Sequence, residues 1–159
     1  MAKYGGEEYK DIYGIREIRF RGRVVNMCKE LSTDLYTIAE AWVYGDLIQD
    51  GEKYYIKDRH SMNLIPVPKE TICEYTGVND CHSKLYENDI LKRGKNLYIV
   101  TWKEGAFGLE NVKTGRFKPF YQITTITYWE DNYEHIGNTI DNPNLINKDI
   151  CEQFNSEQR

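Results

Sequence analysis

The sequence predicts a mainly β chain with α+β character, in which an N-terminal β-hairpin lobe packs on a second small β lobe and a short helix follows. Three observations predict it. A 13 % aromatic content, carried mainly by 13 Tyr, suits pleated, half-buried surfaces better than helix bundles. Short apolar runs repeat with the period of two that a strand requires. Turn signals containing Gly separate those runs at hairpin length.

Residues 1–14 are Gly- and charge-rich with scattered Tyr, and predict a flexible arm. From Ile15 to Val25 the chain alternates: Ile18 and Phe20 share one face of a strand, and Arg19, Arg21 and Arg23 share the other, with Gly22 marking a bulge. Met27 to Ile38 has no clean period and predicts an irregular insertion. Ala41 to Ile48 predicts a strong strand, and Asp50-Gly51 before Tyr54-Tyr55-Ile56 predicts its hairpin partner. Pro66 and Pro68 predict a boundary between two lobes, about 15–68 and 69–140, before Thr71 to Tyr75 resumes an extended pattern.

In the second lobe, Asp89-Ile90-Leu91, Leu97 to Trp102, Ala106 to Leu109 and Tyr121 to Trp129 predict short strands. Their turns are Lys92-Arg93-Gly94-Lys95, Lys103-Glu104-Gly105 and Lys113-Thr114-Gly115, each with a Gly free to take positive φ. Bulky residues on both faces of Leu97 to Trp102 predict a sheet curled over a small core, and the spacing fits an SH3-like small β-barrel. Asn142 and Pro143 suit a helix N-cap and first turn, and Ile146, Ile150 and Phe154 follow at helical spacing, so 141–159 predicts a short C-terminal helix and tail.

A chain of 159 residues buries enough surface to fold without a disulfide or metal staple. The N-terminal residues lack an apolar signal-peptide core, and no apolar run has the length of a membrane span; a cytoplasmic protein with no membrane contact is expected. Cys28, Cys73, Cys81 and Cys151 are widely spaced, which predicts reduced thiols. The net charge of −4 opposes coating of nucleic acid by bulk electrostatics and leaves room for a local basic patch. Charge is lopsided, with Arg16, Arg19, Arg21, Arg23 and Lys29 early and Glu130, Asp131, Glu134, Asp141, Asp149, Glu152 and Glu157 late. That asymmetry could steer a partner or join the ends of neighbouring subunits.

The phosphate-cradling, nucleophile-elbow and HExxH motifs are absent, and no catalytic residue or cofactor is predicted. Cys73, Cys81 and His82, with His60 or His135, contain zinc-ligand types at a spacing that is no zinc knuckle, so no metal is predicted and the Cys-His pair reads as a turn. Carboxylates gather at Glu87 and Asp89 and at Glu130, Asp131 and Glu134, and read as solvated turn residues without a basic partner. Arg19, Arg21 and Arg23, near Tyr13 and Phe20, are the candidate phosphate- or partner-binding residues. The competing reading makes them protective charges on the solvent face of an edge strand.

Four ordered blocks resemble the YopX family of small proteins encoded by bacteriophages and prophages. They are Ile18-Arg19-Phe20-Arg21-Gly22-Arg23, then Trp42-Val43-Tyr44-Gly45-Asp46-Leu47-Ile48, then Thr71 through Tyr75-Thr76-Gly77 to Asp80 with Tyr86-Glu87-Asn88-Asp89-Ile90, and lastly Glu134 through Gly137-Asn138 to Asn142-Pro143. The likeness spans Ile18 to Ile146, within a single domain expected over 15–146. Departures fall in loops: Cys81-His82-Ser83 stands where the family has an Asn-Gly turn, Asn88 stands for Gly, and the link between the first two blocks is much longer than the family's. Asn88 tolerates the left-handed backbone that Gly would permit.

The resemblance implies a phage or prophage origin, a bacterial cytoplasm and a β-rich fold, and carries over no activity. The expected function is therefore a non-enzymatic accessory protein that binds a macromolecule, with a protein partner or self-oligomer first. The alternatives are a nucleic-acid-binding module using Arg19, Arg21 and Arg23, and an anti-defence protein that inhibits a host immune effector.

Overall fold

The computed structural model describes residues 17–24, 42–79, 84–123 and 133–147. The Met27 to Ile38 insertion, the arm before residue 15, most of the Tyr121 to Trp129 run and the chain beyond 147 lie outside them. Within the described residues the protein is mainly β, with two antiparallel sheets, one short α-helical stretch at 143–147 and 3₁₀ turns at Lys69–Thr71 and Phe120–Gln122.

The first sheet has the order β4-β3-β2-β1-β5-β6, with β1 Phe20–Arg23, β2 Trp42–Asp50, β3 Lys53–Asp58, β4 Leu64–Pro66, β5 Cys73–Asn79 and β6 Lys84–Tyr86. The second has the order β10-β9-β8-β7-β11, with β7 Asp89–Arg93, β8 Asn96–Lys103, β9 Ala106–Asn111, β10 Phe117–Pro119 and β11 Glu134–Asn138. The chain changes sheet between Tyr86 and Asp89, later than the lobe boundary expected at the two prolines. Closure of the second sheet into a barrel needs a ladder between its edges β10 and β11; among the described residues it is an open sheet.

The turns form where the glycines allow them. Gly51, Gly94 and Gly115 take φ of +60°, +58° and +67°, and Glu104-Gly105 has both residues positive, at +53° and +79°, which matches the twist of the β8–β9 hairpin. Asn88 adopts φ +71°, the left-handed backbone expected of it.

Gly22 corrects an expectation. The β1–β2 register runs without a bulge from Phe20 opposite Gly45 to Arg23 opposite Trp42. A Cβ on Gly22 would lie 2.8 Å from Val67 Cγ1, so the glycine makes room for a neighbouring side chain and does not bend the strand. Tyr121 also departs from expectation: Phe120–Gln122 is a 3₁₀ turn after Pro119, whose ring has already removed an amide from the ladder.

One core cluster joins Leu85, Leu91, Val100 and Leu109, with Tyr98, Phe120 and Tyr133 packed on it. A second joins Cys73, Tyr75 and Tyr86, flanked by Trp42 and Ile140. Leu85 of β6 packs with residues of β7, β8 and β9, so the first cluster holds the two sheets against each other.

Candidate functional site

β1 is an interior strand, paired with β2 on one side and β5 on the other. This corrects the edge-strand expectation for its arginines. Arg19, Arg21 and Arg23 do share one face, and each meets a carboxylate from a different part of the chain. Arg19 Nη2 lies 2.7 Å from Glu17 Oε1, Arg21 Nη2 lies 2.7 Å from Asp89 Oδ1, and Arg23 pairs with Asp141.

Arg21 is the buried centre of this row. Its side chain is 6 % exposed and that of Asp89 is 0 % exposed. The guanidinium carbon sits 4.4 Å from the Trp42 ring centroid and 4.9 Å from that of Tyr86, so two aromatic rings flank the charge. The second Asp89 oxygen accepts the Tyr86 backbone N–H at 2.8 Å, and His135 Nε2 stands 3.4 Å from the first. Burial alone would lower the Arg21 pKa; the attraction and hydrogen bond of Asp89, helped by Cys73, outweigh it and raise the pKa. Asp89 is thus a paired carboxylate, and the expectation that it lacked a basic partner is corrected.

The turn after β11 closes over this centre. Asn138 Oδ1 accepts the backbone N–H groups of Ile140 and Asp141, and Asn138 Nδ2 donates to Asp141 Oδ2 at 3.1 Å. The same Asp141 oxygen accepts the Trp42 indole N–H at 2.7 Å, while the other pairs with Arg23. Part of the charge asymmetry read as a link between subunits is therefore consumed inside the chain. Asn142 Oδ1 accepts the Asn138 amide at 3.2 Å, so this side chain ties the loop back to β11.

Cys73 is buried next to Arg21, donates towards the Thr71 carbonyl at 3.4 Å and lies 3.6 Å from Asn88 Nδ2. Burial pushes its thiol pKa up, against the lowering effects of Arg21 and Asn88. Among the described residues no cluster of three or more His, Cys, Asp or Glu is placed to hold a metal ion. His60 sits in the exposed turn after β3, His135 reaches Asp89, and Cys81 and His82 lie outside the described residues. Glu87 is half-buried, and burial together with neighbouring Glu74 raises its pKa. Among the described residues no helix is long and apolar enough to cross a membrane.

Two sheets clasped by a buried Arg–Asp pair, with an acidic turn folded over it, define a small two-sheet β protein whose densest polar network is internal. The family model described as YopX protein matches residues 23–147, and the chain belongs to that family. Among curated proteins none matches it.

The four blocks that carried the resemblance meet in space at this network: Arg21 comes from the first, Trp42 from the second, Cys73, Tyr86 and Asp89 from the third, and Asn138 and Asp141 from the fourth. Sequence reasoning found the arginines and missed their partners. The one available signal was the alternation that put three arginines on one face, which demands three counter-charges once that face is buried.

Proposed function

We propose that this YopX-family chain is a phage- or prophage-encoded accessory protein that acts without catalysis, by binding a macromolecule in the cytoplasm of a bacterial host. A protein or a second copy of the chain is the leading partner. The carrying observation is the burial of the Arg21–Asp89 pair, with side chains 6 % and 0 % exposed. The residues of the family motifs are engaged in holding the sheets together, and that leaves recognition to the surface.

The surface has apolar groups suited to the task. Trp102 is 52 % exposed and Tyr121 is 77 % exposed. Trp102 continues the row of Tyr98 and Val100 past the edge of the core and meets Phe107 edge-on at 4.7 Å. On this reading the second sheet is the wall of the expected SH3-like barrel, with Trp102 at its rim. Exposed aromatic rings beside a rigid sheet are the kind of anchor that protein interfaces bury.

The test is purification of the tagged protein from phage-infected cells, with and without nuclease, followed by mass spectrometry and absorbance of the eluate. A stoichiometric macromolecule, lost from the Trp102→Ala variant, is the expected result. Turnover of a nucleotide or nucleic acid that disappears on replacing one carboxylate would contradict it.

A further inference from the structure

Glu17 is the meeting point of three cations. Its carboxylate lies 2.7 Å from Arg19 Nη2, 3.0 Å from Arg59 Nη1 and 3.2 Å from Lys84 Nζ. These come from the entry to β1, the turn after β3 and the start of β6. Among the described residues this one carboxylate is the anion all three share, so the cluster keeps a surplus of two positive charges in a chain whose net charge is −4. Arg19 Nε is moreover buried without a hydrogen-bond partner.

An exposed ring adjoins the cluster. The Arg59 backbone N–H donates to the Tyr44 carbonyl, and Tyr44, 40 % exposed, meets Tyr86 edge-on at 5.6 Å. Tyr86 in turn packs against Tyr75, whose ring lies 5.0 Å below Lys84 Nζ. Arg19, Tyr44 and Lys84 thus belong to the same face of the first sheet as Arg21 and the buried Tyr75 and Tyr86.

We propose that Arg19, Arg59 and Lys84 form a phosphate cradle for single-stranded nucleic acid, that Glu17 is its internal occupant, and that Tyr44 stacks a base. This site rests on the reading of the chain as a binding protein and gives it a second surface, on the first sheet and apart from Trp102, whose partner is a nucleic acid and not a protein. A carboxylate shared by three cations occupies the place of a phosphodiester, and an incoming strand displaces it at the cost of ion pairs it then replaces. A partly exposed ring beside a cation cluster suits unpaired bases, because paired bases keep their faces stacked on each other. The overall negative charge disfavours a long duplex, which needs an extended basic face. Of the three arginines read from the sequence, only Arg19 belongs to this site.

Fluorescence anisotropy with a labelled oligothymidylate of about 15 nucleotides tests it at low salt. Glu17→Gln should tighten binding by about fivefold, since one competing charge is removed. Arg59→Ala combined with Lys84→Ala should weaken it at least about tenfold and flatten the salt slope by about 0.7 to 1.4. Tyr44→Ala should cost about tenfold, while Lys103→Ala on the second sheet should change nothing. All four variants leave the Arg21–Asp89 pair intact, and circular dichroism confirms their fold.

Unchanged affinity in Glu17→Gln, or wild-type binding by the double variant, overturns the cradle. Equal binding of a duplex of the same length overturns the role of Tyr44, and equal competition by polyglutamate overturns the assignment to nucleic acid. If the oligonucleotide fails to bind while a stoichiometric protein is retained after nuclease, this site falls and the broader binding reading stands; if neither is found, both fall.

Discussion

Arg21 and Asp89 lie 68 residues apart in sequence and 2.7 Å apart in space, and the bond between them joins an interior strand of one sheet, β1, to an interior strand of the other, β7. A buried pair of this kind is costly to desolvate, and removing one partner is costlier still, because the other charge is then left without compensation. The flanking Trp42 and Tyr86 rings and the Tyr86 amide provide the additional contacts such a pair needs.

The identity of the cation should matter as well as its charge. Arg21→Lys keeps the charge and loses the plane that lies between Trp42 and Tyr86. The expected outcome is a loss of about 1–3 kcal/mol in urea unfolding, together with a change in tryptophan emission as the environment of Trp42 alters. Unchanged stability would show that the rings are bystanders.

The flanking pair Arg23–Asp141 is partly exposed, with side chains 23 % and 28 % accessible. Solvent screens it, so Asp141→Asn should cost about 1 kcal/mol or less in the same assay. Because Asp141 also accepts the Trp42 indole N–H, Asp141→Ala should exceed Asp141→Asn in its effect on tryptophan emission.

The folded chain holds the Glu87 proton more tightly than the unfolded chain does, since burial and Glu74 raise its pKa above the ordinary 4.5. Between those two values the folded state binds more protons, so stability falls as pH rises through the window. Glu87→Gln should match wild type in melting temperature well below pH 4.5 and exceed it at neutral pH. Burial similarly pushes Tyr86 up to about 12 from 10, which predicts a further loss of stability as pH rises between those values. Tyr86→Phe should abolish that loss; its hydroxyl is buried without a hydrogen bond, so the variant should be no less stable at neutral pH.

Two glycines separate close approach from backbone freedom. A Cβ on Gly45 would overlap the Lys57 carbonyl oxygen on the neighbouring strand, whereas one on Gly51 meets open space. Gly45→Ala should therefore cost about 1–3 kcal/mol or more, and Gly51→Ala, at φ +60°, about 1–2 kcal/mol. A larger loss at Gly51 in thermal unfolding would reverse the reasoning.

What could be read from the sequence was local. The alternation of Ile18 and Phe20 against the arginines placed β1, and glycines beside polar residues placed the β2–β3, β7–β8, β8–β9 and β9–β10 turns. β4, β6 and β10 are three residues each, too short to show a period. The boundary at Pro66 and Pro68 was read from backbone chemistry alone, whereas sheet membership is decided by ladders between distant strands, which carry β5 and β6 into the first sheet. The carboxylate partners of the candidate arginines were hidden for the same reason. A row of arginines looks alike whether it faces phosphate or carboxylates, and Glu17, Asp89 and Asp141 come from three segments whose spacing gives no sign that they meet that row. Arg59 of the cation cluster sits in a turn with no periodic neighbour to single it out.

The central claim is that the family motifs converge on a buried ion pair that clasps the two sheets. A double-mutant cycle of Arg21→Met and Asp89→Leu, measured by urea unfolding, tests it directly. The account predicts that each single replacement costs about 3–5 kcal/mol and that the double variant recovers most of that loss. Single losses that simply add, with a coupling below about 0.5 kcal/mol as for independent sites, would contradict it.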